Sequence, residues 1–441
     1  MNGLIMAAQL IAGLSILVLL HEMGHFLAAR AFGIKVEKFY LFFDAWGFKL
    51  FSFKRGDTEY GIGWLPLGGY VKIAGMIDES MDKEQMLQPA QPWEFRSKPA
   101  WQRLIVMIAG VTVNLILGVV IFWGLAVRFG ESYLPNVEAT NGIVAYELAQ
   151  ELGLKTGDKV TLINGQPFEK YSDLWSSKVL LGNSSLTAVR NDSTINVTIP
   201  SDFIGKLSDK GRSNYIDNFP RFKNAVDSVM EGSNADKAGL AKNDRIIMVN
   251  DKNVEFYDEL KPNLLANKGK DITIGVIRNN DTTTLNAKVT DEGTIGFFPR
   301  QDFKLKQTNY GFFEALPVGA SKAWSTLTDN VKGLGKVVKG EVDPRKAVQG
   351  PIGIASIYGS TFDWFRFWTL TGVLSMVLAF MNILPIPALD GGHTVFLIVE
   401  MIKGKPLSDK FMERAQMVGF FILISLMIFA FGNDLWKVFS N

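Results

Sequence analysis

The stretch LLHEMGHFLAAR, residues 19–30, sets His21 and His25 four residues apart with Glu22 between them. On a helix, two residues at this spacing project from one face, one turn apart. Neutral imidazoles so placed can both reach a tetrahedral Zn²⁺, and a glutamate on the adjoining face can take a proton from an attacking water. The bland alternative is a chance match, or two histidines satisfied in a core. The chain has only 3 histidines, so a His-Glu-x-x-His match is informative. Its position adds weight, because it closes a run from Leu4 to Leu20 that is almost entirely apolar. Ionisable groups in a membrane span are costly and are functional candidates by default.

A catalytic zinc needs a third protein ligand and an open position. Two candidates, Asp390 and His393, fall within NILPIPALDGGH, residues 382–393. A carboxylate on backbone that Pro385 and Pro387 keep from being helical can turn toward the first span. His393 is chemically just as able. Gly391 and Gly392 suggest tight packing beside Asp390, which leans the choice that way without deciding it.

These residues must be held by membrane-spanning elements. Hydrophobic residues make up 47% of the 441 positions and charged residues 20%, a mixture that fits spans combined with water-exposed domains. A net charge of +2 argues against a nucleic-acid partner. The lack of cysteine excludes disulfides, thiolate zinc sites and thiol catalysis. Four segments are long and apolar enough to cross a bilayer: Leu4 to Ala31, Leu104 to Val127, Phe367 to Ile402 and Met417 to Phe431. The first lacks a basic leader and a cleavage site and is expected to be retained. The third is interrupted by the proline-rich stretch that carries Asp390. Lys403, Lys405, Lys410 and Arg414 between the last two spans place that link in the cytoplasm, with both termini and the long middle region on the other side.

The middle region contains a repeat. ELGLKTGDKVTLINGQPFEKYSDL (Glu151 to Leu174) is echoed by KAGLAKNDRIIMVNDKNVEFYDEL (Lys237 to Leu260). Each copy reads as a turn, a buried strand, a two-residue hairpin turn and a helix. Asn243 and Asp251 stand where the first copy has Gly157 and Gly165, and both residue types tolerate positive φ. The repeat resembles tandem PDZ domains, which hold extended peptides by adding them as a strand to a sheet edge.

His-Glu-x-x-His in the first span, with Asn382, Pro385, Pro387, Leu389, Asp390 and Gly391 in the third, resembles the site-2 protease family of intramembrane zinc metalloproteases. With two PDZ-like domains, the chain is similar to the bacterial subgroup of regulator-of-sigma-E type. The resemblance implies one Zn²⁺ per chain on His21, His25 and Asp390, Glu22 as catalytic base, and His393 and Asn114 in supporting positions. It also implies that GWLPLGGYVKIAGM (Gly63 to Met76), a strand and turn by its alternation, is a membrane-reentrant β element whose edge around Gly68, Gly69 and Tyr70 pairs with substrate. Asn382 is a candidate substrate-positioning or oxyanion group, or else a helix cap. The subgroup's second span commonly carries proline where AGVTVN has Val111, so no proline kink is expected there.

The expected fold is a multi-domain α+β membrane protein. Its parts are a first transmembrane helix (1–32), a cytoplasmic-side or reentrant β region (33–100), a second span (101–129), PDZ domains built as small β-barrels or sandwiches (130–218 and 219–300), a connector with an amphipathic helix (301–366), a third span (367–402), and a fourth span with its tail (403–441). Within the connector, Phe312 to Gly340 can lie on the membrane surface or pack as a plain helix, and GPIGIA (Gly350 to Ala355) reads as a turn. The implied location is a bacterial inner membrane, with termini and PDZ domains in the periplasm. Expected partners are lipid, single-span substrates such as an anti-sigma factor, remnant signal peptides, and extended peptides at the PDZ domains. A metal-binding scaffold or ion transporter is the competing class, but it has no need of Glu22 beside the first histidine.

Overall fold

The computed structural model describes residues 2–76 and 89–440; residues 77–88 of the expected β region lie outside it. The chain divides into two compact units, Met1–Glu131 with Asn309–Asn441, and Ser132–Thr308.

The first unit is built on α1 (Asn2–Ala31), α2 (Ala100–Phe129), α3 (Ala315–Val338), α4 (Pro351–Tyr358), α5 (Trp364–Ile383), α6 (Asp390–Lys403) and α7 (Asp409–Ser440). Among the described residues, α1, α2, α5 and α7 are long and apolar enough to cross a membrane. Lipid tails offer no hydrophobic drive for helix association, so close approach through small residues carries the packing. A Cβ added at Gly118 of α2 would lie 2.4 Å from Met376 Sδ of α5, and one at Gly319 of α3 would lie 2.4 Å from the backbone nitrogen of Trp123 on α2. Helix α3 therefore packs on α2 and α5 as a connecting helix, the plainer of its two readings. With Val111 in place of proline, α2 runs unbroken.

Two elements differ from expectation. GPIGIA forms the start of α4 rather than a turn. Gly350 is its N-cap, Pro351 suits the first helical position, and the Asp434 carboxylate of α7 accepts from the amides of Gly350, Ile352 and Gly353 at 3.0, 2.8 and 3.0 Å. That carboxylate comes from far along the chain, so local sequence does not announce it. The last helix begins at Asp409, which draws Lys410 and Arg414 out of the expected link and into its first turns.

Between α1 and α2 lies a four-stranded sheet of order β2-β3-β1-β4, formed by β1 (Val36–Phe43), β2 (Lys49–Arg55), β3 (Thr58–Gly63) and β4 (Leu65–Ile73). Strand β4 pairs antiparallel with β1, with Tyr40 opposite Tyr70 and Leu41 opposite Gly69. Among the described residues nothing pairs with its other edge.

The second unit holds two similar modules with separate cores, one including Leu154, Val160, Ile163, Leu174 and Leu186, the other Leu240, Ile246, Val249, Leu260 and Ile274. Strands β5 (Lys159–Ile163), β6 (Gln166–Pro167), β7 (Ser184–Arg190) and β8 (Ser193–Ile199) form a sheet of order β6-β5-β7-β8. Strands β9 (Arg245–Val249), β10 (Lys252–Asn253), β11 (Asp271–Arg278) and β12 (Asp281–Lys288) repeat that order. These sheets are open rather than closed barrels. The edge strands β6 and β10 are two residues long, and Pro167 cannot donate to a ladder.

The repeat is also conserved as a polar lock. Asp158 accepts from the Lys155 amide at 2.7 Å and is held by two nitrogens of Arg190, which also reaches Gly153 O. Asp244 accepts from the Ala241 amide at 2.8 Å and is held by Arg278, which reaches Gly239 O. Asn243 has φ of +72° where Gly157 has +96°, as the substitution pattern requires, while Asp251 is not among the positive-φ residues. The expected helix after the hairpin is a 3₁₀ turn in the first copy, Tyr171–Trp175, and an α-helix in the second, Tyr257–Leu265.

Burial pushes the Asp244 carboxyl up, but Arg278 and the Ala241 amide outweigh it and hold the group below the ordinary carboxylate range. A depressed carboxyl stabilises the fold above its unfolded pKa and loses that contribution as pH falls through its folded value. The second module should therefore weaken below about pH 4. Arg278→Met, which strands a buried acid, should destabilise it by about 3 kcal/mol, read from hydrogen exchange in β9 and β11.

Candidate active site

The site lies where α1, α2 and the start of α6 meet. His21 and His25 are 8% and 5% exposed, on the buried face of α1. Asp390 is the first residue of α6, delivered by the break that the prolines impose after α5. The intervening loop turns at Ala388, whose φ of +80° is unusual for a residue with a Cβ. Gly391 and Gly392 let α6 pack directly on this loop, since an added Cβ would lie 2.3 Å from Leu384 O and 2.5 Å from Ile386 O, respectively.

Three ligand atoms converge. His21 Nε2 and His25 Nε2 are 3.2 Å apart, and Asp390 Oδ2 is 3.1 Å from the first and 3.3 Å from the second. Tetrahedral ligands at zinc's usual bond lengths of about 2.0–2.1 Å are separated by about 3.3–3.4 Å, so the triangle fits this ion. Protonation points the same way. His25 Nδ1 donates to Val106 O at 2.8 Å, so the neutral form of the ring presents its Nε2 lone pair to a metal. His21 Nδ1 lies 3.2 Å from the Asn114 side-chain amide, whose Oδ1 otherwise lacks a partner and accepts from Nδ1–H once the amide is turned about χ2. Two imidazole lone pairs and a carboxylate oxygen then face one another, an arrangement that a cation relieves.

Helix α2 supplies no ligand yet shapes the site. Val106 and Asn114 orient the two rings, and Gly110 between them leaves room: an added Cβ would lie 2.3 Å from His25 Nε2 and 2.7 Å from His21 Cε1. Sequence reading took up Asn114 but missed Val106, whose contribution is a backbone carbonyl and leaves no mark on residue type.

Glu22, His21, His25, Asp390 and Gly69 to Ile73 of β4 line one cavity of about 460 Å³. Gly69 is required there, because an added Cβ would lie 2.7 Å from Tyr40 O and 2.9 Å from Val18 of α1. Gly68, with φ of +155°, lies against the Phe43 ring. Tyr70 stacks between Tyr40 and Phe43 and donates its hydroxyl to Asp44 at 2.8 Å. Asn382 Nδ2 lies 3.4 Å from His21 Nε2. His393 is one turn beyond Asp390, outside the three-atom cluster, and its Nε2 lies 3.3 Å from Gln416 Nε2. Of the sequence candidates, His21, Glu22, His25, Gly69, Tyr70, Asp390 and His393 line this cavity, His393 on its wall and outside the three-residue cluster that could hold a metal, whereas Gly68, Asn114 and Asn382 are not among its lining residues.

Gly110→Ala tests the packing directly. Alanine ordinarily favours a helix by about 1 kcal/mol, so lost zinc cannot come from poor helix formation. Gly110→Ala should bind zinc at least about 10-fold more weakly. Gly124→Ala, where the added carbon meets nothing within 4 Å, should bind it normally by chelator competition.

Comparison with known proteins agrees with this geometry. The model of peptidase family M50 matches residues 9–426. The chain is 29% identical to the regulator of sigma E protease of Haemophilus influenzae, over 97% of this chain and 98% of that one. It is 28% identical to the regulator of sigma-E protease RseP of Escherichia coli, over 97% of each. A Neisseria meningitidis protein with zinc metalloprotease in its name is 28% identical over 96% of this chain and 97% of its own length. Family, helices and site together identify the chain as a membrane metalloprotease of peptidase family M50, of the site-2 type.

Proposed function

We propose that this protein cleaves transmembrane segments of single-span membrane proteins, using one zinc on His21, His25 and Asp390. The observation that carries the reading is the 3.1–3.3 Å triangle of ligand atoms, sharing a cavity with Glu22 and the free edge of β4.

A peptide bond inside a transmembrane helix is shielded by side chains and its carbonyl is hydrogen-bonded. Cleavage requires local unwinding, which in lipid leaves N–H and C=O groups unsatisfied at several kcal/mol each. The open edge of β4 supports the β4 part of the reading: strand addition along Gly68, Gly69 and Tyr70 gives those groups partners and holds the scissile bond extended. Zinc, when bound, supplies Lewis-acid polarisation and makes water a better nucleophile. Glu22 takes the proton of the attacking water and returns it to the leaving amine. Asn382, close to the ligand atoms, donates to the developing oxyanion. His393 and Asn114 support the ligands rather than join them.

The relatives' names carry regulation of sigma E, and on that footing a pre-trimmed anti-sigma factor in an envelope stress response is the proposed substrate, with remnant signal peptides as a second class. The proposed location is the inner membrane, with termini and the repeated modules in the periplasm. The modules, read as PDZ domains, hold extended peptides and exclude substrates whose external domain is intact. A scaffold or transporter has no need of a base beside the ligands.

The test is zinc content and cleavage of a single-span reporter, side by side. Glu22→Gln should keep zinc and lose about 10²- to 10⁴-fold in cleavage rate, and Asp390→Asn should lose zinc. Unimpaired cleavage in Glu22→Gln would end the reading. Deleting residues 135–298 should allow untrimmed substrates to be cut in cells; if they stay uncut, the access role is wrong.

A further inference from the structure

Resting on the zinc site just proposed, we propose that the Arg103–Glu400 ion pair is a positioning device that sets Asp390 at coordinating distance from His21 and His25. Arg103 of α2 donates through Nη2 to Glu400 Oε1 of α6, and both side chains are only 14% exposed. The Arg103 Nε also donates to Lys98 O at 2.9 Å, which fixes the guanidinium on its own helix end.

Both charges stand where helix dipoles disfavour them. Arg103 is in the first turn of α2, where exposed amides repel a cation, and Glu400 is in the last turn of α6, where exposed carbonyls repel an anion. Their mutual contact offsets both placements, with the Lys98 carbonyl and the Phe95 ring also beside the guanidinium. Breaking a buried pair leaves an uncompensated charge, so the contact is costly to give up.

The consequence follows from helix geometry. Arg103, Val106, Gly110 and Asn114 recur at spacings of three and four and share one face of α2. That face orients His25 through Val106, clears both rings through Gly110, and meets His21 through Asn114. On α6, Asp390, Leu397 and Glu400 share a face by the same rule, and Leu397 is buried in one cluster with Val106 and Met107 of α2. A rigid helix transmits position, so clamping Glu400, about 15 Å along the axis, sets where Asp390 stands. The clamp holds the far end of α6, while the near end packs through Gly391 and Gly392 on a loop that two prolines and a positive-φ alanine keep from being helical.

The experiment measures the zinc dissociation constant of the full chain in detergent by chelator competition, with helicity followed in parallel. Glu400→Gln and Arg103→Gln should each weaken binding by about 10- to 100-fold. The reversed pair, Arg103→Glu with Glu400→Arg, should recover most of it. Lys336→Gln, which breaks an ion pair to Glu341 away from the site, should bind zinc normally. If Glu400→Gln fails to fold, Glu400→Asp, which keeps the charge and shortens the arm, should show the same weakening. Wild-type affinity in the folded single variants, with Asp390→Asn impaired, would overturn the positioning role and leave the zinc site standing. Equal weakening in Lys336→Gln would also overturn it. Retained zinc in Asp390→Asn would remove the ligand assignment and, with it, this proposal.

Discussion

Three electron-rich atoms within 3.1–3.3 Å of one another, buried among apolar helices, are the constraint on which the membrane unit turns. With the ring nitrogens unprotonated these atoms repel one another, and burial denies them water's screening, so the cluster calls for a cation among them. The outer nitrogens of both rings have partners on α2, His25 Nδ1 at Val106 O and His21 Nδ1 at the Asn114 amide. Helix α1 provides His21 and His25, two of the proposed ligands, at a spacing any helix can deliver. Helix α2 provides none, yet its Val106 carbonyl and Asn114 amide meet the outer nitrogens of the two rings, and its bare backbone at Gly110 leaves the rings room.

The third ligand requires a different solution, because a carboxylate must arrive from another element at the same depth. The break after α5 meets that need. Pro385 and Pro387 stop the helix, and Gly391 and Gly392 let its continuation fold back against the stopped end with less than a side chain's thickness between them. Irregular backbone at such depth is tolerable only when covered or facing a wet cavity, and the cavity shared with Glu22 and β4 meets that condition. The same opening that excuses the broken helix leaves space between the proposed ligands and β4.

Charges elsewhere in the chain follow one rule: a buried carboxylate is kept with its donors in place. Asp434 gathers three amides at the start of α4, Glu400 meets Arg103, and Asp158 and Asp244 are each gripped by an arginine and a turn amide. The two modules have drifted in turn residues and in the helix that follows the hairpin, yet the aspartate–arginine lock is the same in both. An unpaired acid in a small core would cost more than those other differences.

Sequence alone determined what depends on local spacing and chemical type. The four-residue interval of His21 and His25 puts both on one face of any helix, the prolines forbid a continuous third span, and the repeat announces two like modules, because each is a rule of covalent geometry or backbone sterics. What only the tertiary structure decided is what depends on distant partners. Asp390 and His393 were equal candidates on chemical grounds, and the fold separated them by bringing one to the histidines and turning the other to Gln416. The start of α4 read as a turn because the carboxylate that caps it lies more than 80 residues away. Val106 and Arg103 gave no signal, since a backbone carbonyl is common to every residue and an arginine at a span's edge is ordinary until its acid is seen. The modules were expected from likeness to be small barrels or sandwiches, and their four-stranded sheets are not closed barrels, since two-residue edge strands, one holding a proline, cannot carry a continuous ladder.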